Sequence, residues 1–68
     1  MKISARNAFD GTVKEVKKGA TTSHVLIDVA GLTVTSSITN EAVDDLGIKA
    51  KDRVTVVIKS SDVMIGVD

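Results

Sequence analysis

Apolar residues fall at every second position through most of this chain. Phe9, Gly11 and Val13 alternate with polar neighbours, and Val25, Ile27 and Val29 do the same. Val54, Val56 and Ile58 repeat the pattern, followed by Val63, Ile65 and Val67. Period two in short β-branched runs, broken by Gly, Ser and Asp, predicts strands with one face turned to a core. The first strand is expected over Ala8–Lys17. The next apolar residue after Val13 is Val16, three positions on, and that slip predicts a β-bulge near Lys14-Glu15. Gly11 in mid-strand predicts a sharp bend or a close backbone approach.

The second strand is expected over Ser23–Ala30. Ala30-Gly31 then turns tightly into a third strand, Leu32–Ile38, with Leu32, Val34 and Ile38 facing the core. Thr39–Leu46 is the single helical candidate. Thr39 can cap it, Ile38 and Val43 can staple it, and Gly47 can end it. Arg53–Lys59 and Val63–Val67 complete the set as fourth and fifth strands. The whole reads as one domain over residues 1–68. It is an all-β, five-stranded, OB-like Greek-key barrel, with one short helix between strands three and four.

Size changes the picture. A chain of 68 residues buries about 60% of its unfolded surface on folding, so it needs help from disulfides, metal or association. Cysteine is absent and His24 is the one histidine, which leaves self-association. Val16, Leu26, Val57 and Met64 fall opposite the core positions, and four apolar residues on polar strand faces point to a covered surface.

Nine cations balance nine carboxylates, so there is no basic footprint for nucleic acid or an anionic membrane. Phe9 is the only aromatic residue, so no platform for stacking bases exists. No apolar run is long enough for a membrane span. The start, Met1-Lys2-Ile3-Ser4, lacks the apolar core of a signal peptide, and a cytoplasmic location is expected.

The candidate chemistry lies at the two ends. Ser4-Ala5-Arg6-Asn7 opens the first strand, and Lys59-Ser60-Ser61 follows the fourth. If the first and last strands are neighbours, two cations and three hydroxyls converge. Such a spot holds donors only, with no nucleophile, base or metal ligand beside it, which suits a small anion and not catalysis; no enzyme is expected. Arginine's rigid fork matches a tetrahedral oxyanion. The competing reading of Arg6 is a surface ion pair with Asp10 or Asp62. Thr39 is a helix cap that could also present donors to an anion. Lys18-Gly19-Ala20 could form a second nest of backbone amides or an ordinary hairpin loop.

These same stretches resemble a known family. Ser4-Ala5-Arg6-Asn7, Val13-Lys14-Glu15-Val16-Lys17-Lys18-Gly19, and Val57-Ile58-Lys59-Ser60-Ser61-Asp62-Val63-Met64-Ile65 are similar to the molbindins, small bacterial molybdate-binding proteins of the Mop type with a TOBE-like domain. The resemblance covers essentially the whole chain. It implies a homo-hexamer, a trimer of dimers, with molybdate or tungstate held at subunit interfaces in more than one class of site. By position it implies Ser4, Ala5 and Arg6 as anion-binding residues from the opening motif, Lys59 and Ser60 from the closing one, and Thr39 from a third segment. Lys18, Gly19 and Ala20 would serve a second class. Ala42 stands where some relatives carry serine, so that contact is expected to be missing.

The resulting expectation is intracellular molybdate storage and homeostasis. The alternatives are a nucleic-acid-binding OB module, or a molybdate sensor acting through a partner protein. Molybdate carries no proton at neutral pH, so a donor-only site can take it and reject protonated phosphate, while sulfate can be excluded only by size.

Overall fold

The computed structural model describes Met1–Asp68. Four strands form one antiparallel sheet: β1 (Asn7–Lys18), β2 (Thr22–Val29), β3 (Leu32–Thr39) and β4 (Arg53–Ile58). Their order is β3-β2-β1-β4, which is the spatial order of a Greek key. One helix, α1 (Asn40–Leu46), joins β3 to β4, and a 3-10 turn at Ser60–Asp62 follows β4.

The period slip after Val13 has the expected consequence. The β1–β2 register shifts between Val13 and Glu15, and Val16 then pairs with Val25. This returns Val16 to the core side, where it packs against the buried cluster. The expectation of an outward Val16 is therefore corrected, because the bulge restores the phase that it interrupts. Gly11 marks the close approach. A Cβ there would lie 2.6 Å from Ile27 Cγ2 and 2.9 Å from the Asp28 carbonyl oxygen, so only glycine lets β2 cross β1 so tightly.

Ala30 and Gly31 both take positive φ, 51° and 86°, as the two-residue hairpin turn between β2 and β3 demands. Thr39 caps α1 by accepting the Ala42 N–H at 3.0 Å. Gly47 ends it in the left-handed region, where glycine carries no Cβ penalty. Val43 anchors the helix on the sheet beside Val13, Val25, Ile27 and Val56.

Three expectations fail. Val63–Val67 forms no strand: after the 3-10 turn this tail pairs with nothing in its own chain. Met64, Ile65 and Val67 are 92%, 86% and 91% exposed. Alternation made the segment strand-like, but a strand exists only where an edge is offered to it. Leu32 is 71% exposed, at the hairpin end of β3 where it pairs with Val29. Phe9, paired with Val56, is 44% exposed instead of buried.

An open groove of about 400 Å³ lies between β3 and β4. Val25, Ile27, Ile38, Val54, Val56 and Val57 help to line it.

Candidate oxyanion site

β1 and β4 pair from Asn7↔Ile58 to Thr12↔Arg53. That register sets the residues before β1 beside those after β4. Asn7 Nδ2 ties the junction, donating to the Ile58 carbonyl at 3.3 Å and reaching Ser60 Oγ at 3.5 Å. Ser4 and Ala5 consequently line one open cleft with Lys59, Ser60 and Ser61. Three hydroxyls and one cation, Lys59, therefore meet within a single chain, and the second expected cation, Arg6, is not among them.

The 3-10 turn shapes the far wall. Asp62 N–H donates to the Lys59 carbonyl at 2.9 Å and Val63 N–H to the Ser60 carbonyl at 3.3 Å. These bonds turn the chain beside the cleft that Ser60 and Ser61 line. Lys59 enters none of the three ion pairs of the chain, Lys17–Glu15, Lys18–Asp44 and Lys49–Asp52. Arg6 is also in none of them, so the surface pair with Asp10 or Asp62 is not formed. Arg6 does not line the cleft within the chain; it stands exposed between Ala5 and Asn7. Asp62 does line it, and this departs from the donors-only expectation. A carboxylate in the wall repels an anion, and Lys59, the one cation that lines the cleft, opposes it there.

Thr39 is elsewhere. It pairs with Thr22, next to Ser23, which faces Lys18 at the last position of β1. Asn7 is the first position of that same strand, so Thr39 and the cleft sit at opposite ends of the sheet. Lys18, Gly19 and Ala20 lie near the Thr39 end. Lys18 Nζ is 2.6 Å from Asp44 Oδ1, and the Gly19 N–H is spent on the Thr22 carbonyl at 2.8 Å. The chain therefore groups its candidates in two places: Ser4, Ala5, Lys59 and Ser60 with Arg6 at hand, and Thr39 with the Lys18–Ala20 loop.

Two polar residues were not singled out from the sequence. Ser23 is fully buried, and its hydroxyl donates to Asn40 Oδ1. Its place in phase with Val25 and Ile27 was the available signal.

A Greek-key sheet with one helix after its third strand, and chain ends meeting in a donor-rich cleft, defines the class of module. The TOBE domain profile matches residues 3–65, and the chain belongs to that family, in its molbindin-type branch. It is 50% identical over 66 residues to molybdenum-pterin-binding protein 3 of Clostridium pasteurianum, covering 96% of this chain and 97% of that one. MopII of the same organism superposes with a TM-score of 0.92 at 43% identity, over 97% of this chain and all of that one. A molybdate-binding protein of Sporomusa ovata gives a TM-score of 0.91 at 35% identity, covering 96% and 97% of the two chains. ModG, described as a cytoplasmic molybdate-binding protein and solved with molybdate bound, gives 0.94 at 40% identity; this chain spans 49% of its length.

Proposed function

We propose that this protein binds molybdate, with tungstate as its analogue, at junctions between copies of the chain, and that it stores and buffers the anion in the cytoplasm. The observation that carries the reading is the convergence of Ser4 and Ala5 with Ser60 and an unpaired Lys59 in one cleft, with Arg6 exposed and unpaired next to Ala5 in the chain. The relatives' molybdate and molybdenum-pterin names support the ligand class. The aliphatic groove between β3 and β4 offers no aromatic face, and its polar side chains are Ser36 and Thr55 alone. Those residues do not suit a pterin, which is left out of the proposal.

Two features favour a site shared between chains. The cleft is open, about 680 Å³, far larger than a tetrahedral oxyanion, and a site that discriminates by size needs closed walls. Thr39, which the family resemblance groups with Ser4 and Lys59, sits at the other end of the sheet, and in this reading a second copy brings it to them. A homo-hexamer built as a trimer of dimers meets both needs. Association also covers the groove and the exposed tail. Anion binding then neutralises cations gathered from two chains, and binding and assembly reinforce each other.

The test is equilibrium dialysis of molybdate against large excesses of sulfate and phosphate. Molybdate retained near or above one anion per chain supports the selective interfacial store. Its displacement by sulfate leaves a generic anion site and removes the storage reading.

A further inference from the structure

Asn7 is the first residue of β1 and Ile58 the last of β4, and the two face each other across the ladder. The Asn7 side chain is partly buried there, and its Nδ2 donates to the Ile58 carbonyl at 3.3 Å. A backbone carbonyl can only accept, so it takes the N–H end of the amide and turns Oδ1 away. The register of β1 against β4 thereby fixes which end of this amide meets the chain after β4.

The same nitrogen carries a second N–H, which reaches Ser60 Oγ at 3.5 Å. This contact is the longer and weaker of the two, but its direction has a consequence. A hydroxyl owns one proton and two lone pairs. Once a lone pair of Ser60 meets an N–H, the hydroxyl proton has to lie elsewhere. Ser60 makes no other side-chain hydrogen bond, and the neighbouring Asp62 carboxylate takes none from it. Ser60 lines the cleft with Ser4, Ala5 and Lys59, so its proton is left as a donor for an anion that enters. Asn7 itself does not line the cleft.

We propose that Asn7 is a positioning residue: by donating to Ser60 Oγ it holds the Ser60 hydroxyl as a donor toward the bound oxyanion, and so tilts the cleft against anions that carry a proton of their own. This rests on the molybdate reading above. A protonated phosphate must give its hydroxyl to an acceptor, and Asn7 keeps Ser60 from serving as one. Asn7 acts on the anion without touching it.

Molybdate and phosphate isotherms of the assembled protein test this with wild type, Asn7→Ala, Ser60→Ala and the double variant. Asp62 is common to all four, so its own charge cancels in the comparison. Asn7→Ala frees the Ser60 hydroxyl to rotate. It is expected to weaken molybdate about three- to fivefold while phosphate stays within about twofold, the scale of less than one full hydrogen bond. In the Ser60→Ala background the same substitution is expected to change molybdate affinity by less than about 1.5-fold, because the group it acts on is gone. An Asn7 that only braces the strands would lower both anions alike and would cost as much without Ser60 as with it; either result overturns the proposal. Side-chain amide spectra of anion-free protein give a second reading that needs no substitution at Asn7. Ser60→Ala should shift one of the two Asn7 Nδ2 proton resonances, and the one bonded to Ile58 should stay. Two unmoved resonances overturn the contact itself. If wild type takes up no molybdate, the functional reading falls and the positioning role with it; a shifted Asn7 resonance would then show that the contact exists and that the failure lies with the ligand.

Discussion

Arg6 and Asp62 pull the candidate cleft in opposite directions. Arg6 is exposed, with no ion-pair partner to give up, so the cost of redirecting it to an anion is small. Arg6→Ala is expected to weaken molybdate binding by about 1.5–3 kcal/mol, the scale of a charge-assisted hydrogen bond. Titration calorimetry measures it, and unchanged affinity would take Arg6 out of the site. Asp62 is a cleft-lining carboxylate whose charge opposes the ligand. Asp62→Asn keeps the shape and the backbone bond to Lys59, and is expected to tighten binding by up to about 1 kcal/mol, as for a solvent-screened like-charge pair. Weaker binding in that variant would mean that Asp62 supports the turn more than it repels the anion. The sequence made the donors legible because Ser, Arg and Lys are donors wherever they stand. It left Asp62 in the background, since its proximity to Ser4 depends on the 3-10 turn and not on spacing.

Among the elements, those set by local chemistry matched their sequence signals. Thr39 and Gly47 bound the helix and Ala30-Gly31 made the turn, each through contacts a few residues apart, and the Val13–Val16 slip made the bulge in the pairing of β1 with β2. The fifth strand had equally good alternation but depends on a remote edge, which alternation does not report. Ala30 allows a direct check of turn chemistry. A non-glycine residue at φ 51° bears a Cβ penalty, so Ala30→Gly is expected to stabilise the hairpin by about 0.5–1 kcal/mol in urea unfolding. Destabilisation instead would mean that the gain in unfolded-state freedom outweighs the relief of strain. The turn at Lys49–Asp52 adds a pH dependence. Its Asp52 carbonyl accepts the Val13 N–H at 2.8 Å, and Lys51 N–H donates to the Val13 carbonyl at 2.7 Å, so it is fastened beside the bulge. The Asp52 carboxylate is held below its ordinary value of 3.8, chiefly by the Lys49 ammonium hydrogen bond and next by the Lys49 backbone N–H. A lowered folded pKa gives stability that is present above the ordinary carboxylate range and lost as pH falls through it and below. Wild type should lose stability between neutral pH and about pH 3, and Asp52→Asn should lose less over that interval. Equal slopes in the two proteins would show that the turn does not favour the charged form.

At the scale of the whole molecule, burial and exposure do not balance. Seven of 68 residues are buried, and five of them form the apolar core. Meanwhile Leu32 and Leu46 are each 71% exposed, the tail is bare from Met64 to Val67, and the groove between β3 and β4 stands open. Unpaired edges and bare apolar segments are hazards that small proteins cover. Association of copies, as proposed above, would answer this, because one contact would supply missing core and close the cleft. Val57 is where these two effects meet. It is 44% exposed and lines both the apolar groove and the anion cleft. Val57→Glu therefore sets an unpaired charge on a surface that assembly would dehydrate, at a cost of several kcal/mol per contact. Sedimentation velocity is expected to show the variant as a smaller species than wild type, and dialysis to show it holding less molybdate. Loss of assembly with full molybdate retention would place the whole site within one chain. An unchanged oligomer that no longer holds molybdate would put Val57 in the cleft but outside the subunit contact. Joint loss, partly reversed by high molybdate, is the signature of sites built from two copies, since a ligand bound across an interface raises the stability of that interface by mass action.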